Sequence, residues 1–229
     1  MTQLAAFPTD WQTALVLVAH PDDPEYGMAP AVARWTSEGR HLVYALASSG
    51  EAGIEGMAPA DAGPAREAEQ RASAGVVGVD DVEFWGFPDS AIRNTPQLRD
   101  RIRETITRVA PDVVLSLYGG PEWAPGQPNQ SDHMEFAAAV LETYDSMDPI
   151  ARPRRLFENG PQATHAVDVT EQIDLAVSSL AAHEQYLSVL DPDTPVVEQA
   201  RRQIDMVTAP REDFGGVRAA CFELKRGPA

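Results

Sequence analysis

The segment at residues 13–23 constrains this chain more than any other. Residues 13–19 (TALVLVA) are almost wholly apolar, the pattern of a parallel strand covered on both faces. The run then stops at once in His20-Pro21-Asp22-Asp23. One imidazole and two carboxylates extend a core badly and decorate a surface oddly. They suit the C-terminal tip of a buried parallel strand, where open α/β sheets bind their ligands. Such a tip supplies half of a metal site, and the other half must come from elsewhere in the chain.

Strand and helix patterns alternate beyond it. Residues 1–13 read as a polar lead-in. Residues 28–38 have helical composition, with Pro30 suited to a first turn and Gly39 to the stop. Residues 41–48 form a second strand, and the crossover rule makes this β-α-β pair parallel. Residues 49–63 are a glycine- and alanine-rich loop of the length that often carries function. A helix over 66–77 and a short strand over 82–85 follow. Leu98, Ile102, Ile106 and Val109 mark an amphipathic helix over 98–109, and 112–117 is another buried strand. Residues 118–131, rich in Gly and Pro, are expected to be irregular. Helices over 132–144, 172–190 (the longest) and 196–207 are expected, with strands over 152–158, 164–169 and 219–224. No repeat or linker divides the chain. Its 229 residues, 43% of them hydrophobic, make one α/β domain spanning 1–229, with a mostly parallel sheet flanked by helices.

The formal charge of -17 repels phosphate backbones and anionic membranes, so no nucleic-acid or membrane partner is expected. No stretch is long and apolar enough to span a bilayer. The N-terminus lacks the pattern of a signal peptide, which points to the cytoplasm. Cys221 is the only cysteine, ruling out a disulfide framework or a thiolate-rich zinc site; beside Phe222 it reads as a core residue. Lys225 is the only lysine, the usage of a GC-rich bacterial genome.

Neutral imidazole and carboxylate oxygen are ligands that zinc and ferrous iron both accept. Adjacent side chains diverge on a turn, so one of Asp22 and Asp23 can bind a metal while the other addresses its water. The competing reading has one of them capping the next helix, with His20 an ordinary polar residue. His133 favours the metal: it opens a helix behind the loop that leaves strand 112–117, at the same sheet edge as His20. Two His and one Asp leave a position for water, as in catalytic rather than structural zinc sites. His41 opens a strand at the opposite edge and reads as structural, His165 begins a strand without an assigned role, and His183, mid-helix, suits the surface or a supporting position. Water acidified by the metal, with Asp22 as general base, suits amide hydrolysis or hydration of a polarised substrate.

The series Ala19-His20-Pro21-Asp22-Asp23 with Glu25-Tyr26-Gly27, Ser49-Gly50-Glu51-Ala52-Gly53, Arg66-Glu67-Ala68-Glu69, Gly86-Phe87-Pro88-Asp89 and Asp132-His133 resembles, in order and spacing, the PIG-L/LmbE deacetylase family. That resemblance implies a Rossmann-like fold and Zn2+ held by His20, Asp23 and His133, with Fe2+ as the other ion. It also implies Asp22 as general base, Asp132 as an orienting group, and Glu51, Arg66 and Asp89 as contacts to a sugar-like substrate. Each of these three also has a plainer reading, as loop solvation, a helix-surface ion pair and a turn residue respectively. The family usually places a histidine where this chain has Gln130, which can donate a hydrogen bond to an oxyanion but cannot deliver a proton; His165 and His183 are the candidate acids. The implied activity is zinc-dependent removal of an N-acyl group from an amino-sugar or sugar-thiol conjugate. A hydratase of the same fold and a non-catalytic sugar-binding protein are the alternatives. The implied partner is a small molecule, with room for a homo-oligomer. Trp123 is either a sugar-stacking platform or a loop anchor.

Overall fold

The chain enters the fold through aromatic side chains. The computed structural model describes residues 3–228; Met1 and Thr2, the head of the expected lead-in, lie outside the described residues. Strand β1 (Ala5–Ala6) joins the edge of the sheet. Phe7 and Trp11 are buried, and the Phe7 ring centroid lies 4.4 Å from that of Phe157, 4.8 Å from Trp35 and 5.3 Å from Phe222. The polar lead-in is thus corrected: two aromatics leave no periodic signal, yet they pin the segment to the core.

The apolar run forms β2 (Thr13–Val18), buried from Ala14 onward. Two helices follow, α1 (Asp23–Gly27) and α2 (Ala29–Ser37), so helix begins inside the acidic motif rather than at Met28. After β3 (His41–Leu46) comes α3 (Pro59–Val76), which starts well before Arg66 and shortens the expected loop. Pro59 sits in its first turn, where a missing N–H costs nothing. Then come β4 (Asp81–Phe84), α4 (Pro96–Val109) and β5 (Val113–Leu117). Thr95 caps α4, its hydroxyl accepting from Leu98 N.

The Gly/Pro-rich segment is not wholly irregular. It holds a hairpin of β6 (Glu122–Ala124) and β7 (Gln127–Pro128), turned by Pro125 and Gly126 at φ 78°. Proline followed by a positive-φ glycine is turn chemistry, and strands this short leave no alternation to read. Next are α5 (Ser131–Ser146), β8 (Arg155–Asn159) and β9 (His165–Asp168). The single helix expected over 172–190 is two, α6 (Ile173–Ala181) and α7 (Glu184–Leu190). They break at His183, which is fully buried with its Nε2 3.4 Å from Glu25, while Gln185 N donates to Glu69. Bringing the His183 ring beside the buried Glu25 and giving a backbone N–H to Glu69 takes the place of helix continuation. The chain ends with α8 (Val196–Val207), β10 (Pro210–Arg211) and β11 (Val217–Arg226).

In space the main strands run β1-β9-β11-β8-β5-β2-β3-β4, with β10 paired to β11. From β4 to β8 neighbours are parallel; β11 is antiparallel to both β8 and β9. The chain moves outward from β2 to β3 and β4, then crosses to the other side of β2 for β5 and β8. Between β2 and β5 the following segments diverge and open a crevice at their C-terminal ends. Helices α4 and α5 pack together, as α2 and α3 do against α6. None of the described helices is long and apolar enough to cross a membrane.

Because Phe7 fills the contact among Trp35, Phe157 and Phe222, Phe7→Ala should cost about 3–5 kcal/mol of unfolding free energy in denaturant titration. Exposed Thr9, mutated to alanine, should change it by less than about 0.5 kcal/mol.

Candidate active site

Where β2 ends, the Asp23 carboxylate turns back onto it. Its Oδ2 accepts the backbone N–H groups of Ala19 (3.0 Å) and His20 (2.8 Å), and its Oδ1 lies 3.1 Å from His133 Nε2. Asp22 occupies the cap position of α1 at φ 81° but makes no side-chain cap bond. The capping reading therefore describes neither carboxylate, and the two do diverge.

His133 arrives from the first turn of α5, behind β5. Its Nδ1 lies 3.1 Å from Asn129 Oδ1. That oxygen also accepts from Trp123 Nε1 and Gln130 N, while Asn129 Nδ2 donates to the carbonyls of Tyr118 and Gly120. The amide orientation is thereby fixed, so His133 Nδ1 must carry the proton and Nε2 the lone pair. Buried Nε2 has no hydrogen-bond partner despite its closeness to Asp23. A buried nitrogen lone pair with no donor is the chemistry of a metal ligand whose other nitrogen is held in place.

His20 faces three carboxylates. Its Nε2 lies 3.2 Å from Asp89 Oδ1 and 3.3 Å from Asp132 Oδ2, leaving Nδ1 on the side of Asp23, 3.7 Å away. Burial pulls the imidazole pKa down, but hydrogen bonds to Asp132 and Asp89 and the Asp23 charge push it up to about 10. A field that holds a proton this firmly is one that also favours a metal cation. Ligand atoms of His20, Asp23 and His133 lie within 4.8 Å of one another, as do those of His20, Asp89 and Asp132. The donor set of two imidazoles and one carboxylate fits a divalent ion.

Asp22 stands beside this trio with its Oδ2 3.0 Å from the Arg66 guanidinium, which also donates to the carbonyls of Pro21 and Gly50. A Cβ at Gly50, where φ is +64°, would run into that guanidinium. Burial raises the Asp22 pKa and Arg66 opposes it, whereas Asp23, although buried too, is held below the ordinary carboxylate range by His133 and His20. Behind Asp22, Gln70 Oε1 accepts the Asp22 N–H (2.7 Å), and Gln70 Nε2 donates to Glu25. Tyr186 lies under Arg66, its ring centroid 4.2 Å from the guanidinium carbon.

The residues expected to touch substrate are spread unevenly. Gln130, exposed, lines a cavity of 360 Å3 together with Asp22, Asp23 and His133. Glu51 Oε1 accepts Asp89 N, and Asp89 Oδ2 accepts Ala52 N, so these two residues brace each other's loops. Arg66 is 3% exposed and committed to Asp22. Trp123 is an anchor through Nε1, yet 37% exposed, and it lines the cavity. Neither expected proton donor lines the cavity. His165 lies in β9, with its ring against Phe157 at 5.2 Å, and His183 is sealed beside Glu25. His41 pairs with Asp81 at the far end of β3. Sequence reasoning missed Asn129, Gln70 and Tyr186. For Asn129 a signal existed: a side-chain acceptor one turn before a candidate ligand at a helix start.

A family model described as "GlcNAc-PI de-N-acetylase" (PIG-L) matches residues 15–144, more than half of the chain. A protein of Bacillus anthracis described as "Probable N-acetyl-alpha-D-glucosaminyl L-malate deacetylase 2" is 27% identical over 209 residues, covering 85% of this chain and 88% of its own. Among solved structures, N,N'-diacetylchitobiose deacetylase from Pyrococcus horikoshii superposes with a TM-score of 0.80 at 18% identity, covering 94% of this chain and 84% of its own. GalB, the 4-carboxy-2-hydroxymuconate hydratase from Pseudomonas putida, superposes with a TM-score of 0.66 at 20% identity, covering 95% and 98%. At those identities the two structures establish the fold. The family match spans the strand of the HPDD turn and the helix of His133, and the chain belongs to the PIG-L de-N-acetylase family.

Proposed function

We propose that this chain is a single-domain, metal-dependent amidohydrolase that removes the acetyl group from an N-acetylated amino sugar or sugar conjugate, with zinc as the ion and ferrous iron as its alternative. One observation carries the reading: His20, Asp23 and His133 converge at the crevice between β2 and β5, with the Asp22 carboxylate beside them on the cavity wall. The relatives' printed activities support the acetylated sugar as substrate.

A divalent ion held by His20, Asp23 and His133 would polarise the acyl carbonyl and acidify water. The protein's own groups handle the proton. Asp22, on the cavity wall with its Oδ2 held by Arg66, acts as base, taking onto a carboxylate oxygen the proton from water as the water oxygen bonds to the acyl carbon. As the C–N bond breaks, the same oxygen returns the proton to the departing amine, yielding acetate and a free amino sugar. Burial raises the affinity of Asp22 for that proton, which suits a group that must hold it between the two steps. Gln130, which lines the cavity, donates an N–H to the carbonyl oxygen in this reading as negative charge develops there. The hydratase alternative rests on the same Gln130, since adding water to a double bond expels no amine.

His133→Ala should abolish zinc retention after dialysis, measured by elemental analysis, while His41→Ala retains it; equal loss in both would remove His133 from the ligand set. Asn129→Ala, which frees the His133 tautomer, should weaken zinc binding about 10–100-fold in competition titration. Asp22→Asn should keep its zinc and lose about 10²–10⁴-fold in kcat for acetate release from N-acetylglucosamine derivatives. Hydration of an enoate with no acetate release by the wild-type protein would select the hydratase.

A further inference from the structure

The cavity beside the metal-ligand trio is built for an uncharged group with an apolar face. Its floor carries buried Met28 and Leu117, and Tyr26, Tyr186, Trp123 and Met206 complete an apolar and aromatic wall. Trp123 is fixed by its bond to Asn129, and Met206, 67% exposed, stands at the mouth on the last turn of α8. Away from the ligands and Asp22, the polar lining is uncharged: the amide residues Gln127, Gln130, Gln203 and Asn159, with the tyrosines Tyr26 and Tyr186. Amides recognise hydroxyl groups without requiring a charge.

No lysine or arginine lines this cavity among the described residues. Arg66 is buried against Asp22, and Arg93 reaches Asp132 without joining the lining. In the adjoining clefts Arg202 is paired with Glu198 and Arg211 with Asp213. Any cation held by the trio is already matched by Asp22, Asp23, Asp89 and Asp132, and the whole chain carries -17. An anionic substituent entering here would meet carboxylates and no partner charge.

We infer that the substrate is a neutral N-acyl amino-sugar glycoside whose aglycone is apolar, aryl or alkyl, rather than a conjugate bearing a carboxylate. The inference rests on the proposed amidohydrolase reading for the N-acyl group; the neutrality and apolar character of the remainder come from the cavity alone. Apolar contact with aromatic walls supplies the affinity, and the amides orient the sugar hydroxyls.

The test uses two N-acetylglucosamine phenyl glycosides that differ only in the para substituent, methyl in one and carboxylate in the other. Zinc-loaded Asp22→Asn protein reports Kd by calorimetry, and wild-type protein reports kcat/KM for acetate release. The neutral glycoside should bind at least about tenfold tighter, and wild type should show a preference of the same size, equivalent to about 1.4 kcal/mol. Met206→Arg should narrow the gap by tightening the carboxylate and weakening the methyl compound. Equal or tighter binding of the carboxylate glycoside by the Asp22→Asn protein that keeps Met206 overturns the inference, as does failure of both glycosides to bind. If the neutral glycoside binds selectively but wild type never releases acetate, the amidohydrolase reading falls while the cavity's preference stands.

Discussion

The site depends on the Asp23 carboxylate folding back onto the end of β2. Once a parallel strand stops, its last N–H groups need acceptors, and here those of Ala19 and His20 find the Asp23 Oδ2. The same bond that terminates the strand therefore fixes one carboxylate oxygen and aims the other at His133. Strand termination and ligand placement are one event. A residue without a carboxylate at position 23 would leave the strand-end N–H groups without an acceptor and remove the oxygen that faces His133 Nε2.

Holding Asp23 this way forces Asp22 into a left-handed backbone conformation, φ 81°, which costs a non-glycine residue roughly 1 kcal/mol or more. The surrounding structure over-determines it. Gln70 takes the Asp22 N–H, Arg66 takes its carboxylate and the Pro21 carbonyl, and Gln70 is itself anchored on Glu25, against which His183 is sealed. Four separate elements, α1, α3, α6 and α7, meet at this point, and the break between the last two exists so that His183 can reach Glu25. The strained residue is the proposed base, and a rigid base needs no reorganisation when water arrives.

This also explains how much the sequence disclosed. The ends of the strands over 13–18 and 113–117 were legible because an unbroken apolar run leaves little choice about where it stops, so His20, the Asp22–Asp23 pair and His133 could be placed on one edge from pattern, whereas the hairpin and Asn129 between them could not. Groups whose role depends on tertiary neighbours were not. Nothing local in Gln70 or Tyr186 says that the one will accept the Asp22 N–H and the other lie beneath Arg66. His183 sits in a sequence with good helical periodicity on both sides, and only the buried Glu25, far away in the chain, turns that helix into two. The aromatic anchors Phe7 and Trp11 escaped for a related reason: two residues carry large buried area but no period. Glu51 and Asp89 lie on loops and Arg66 in α3, and their polar atoms are occupied by Asp89 N, Ala52 N and Asp22, contacts that a motif does not encode.

The absence of an imidazole opposite the ligand trio changes the proton economy of the proposed reaction without breaking it. Hydrolysis of an amide takes one proton from water and needs one at the departing nitrogen, so a single carboxyl can serve both ends if its affinity for the proton lies between those of the two partners. Burial alone would make Asp22 too reluctant to ionise, and Arg66 alone would make it too weak a base; the two act on it in opposite directions. Arg66 does this without entering the cavity, because Pro21 and Gly50 carbonyls hold it from behind. In the proposed reaction, the guanidinium that family resemblance assigns to substrate adjusts the base instead. Gln130 then needs only to offer an N–H, which is all its side chain can do in this role.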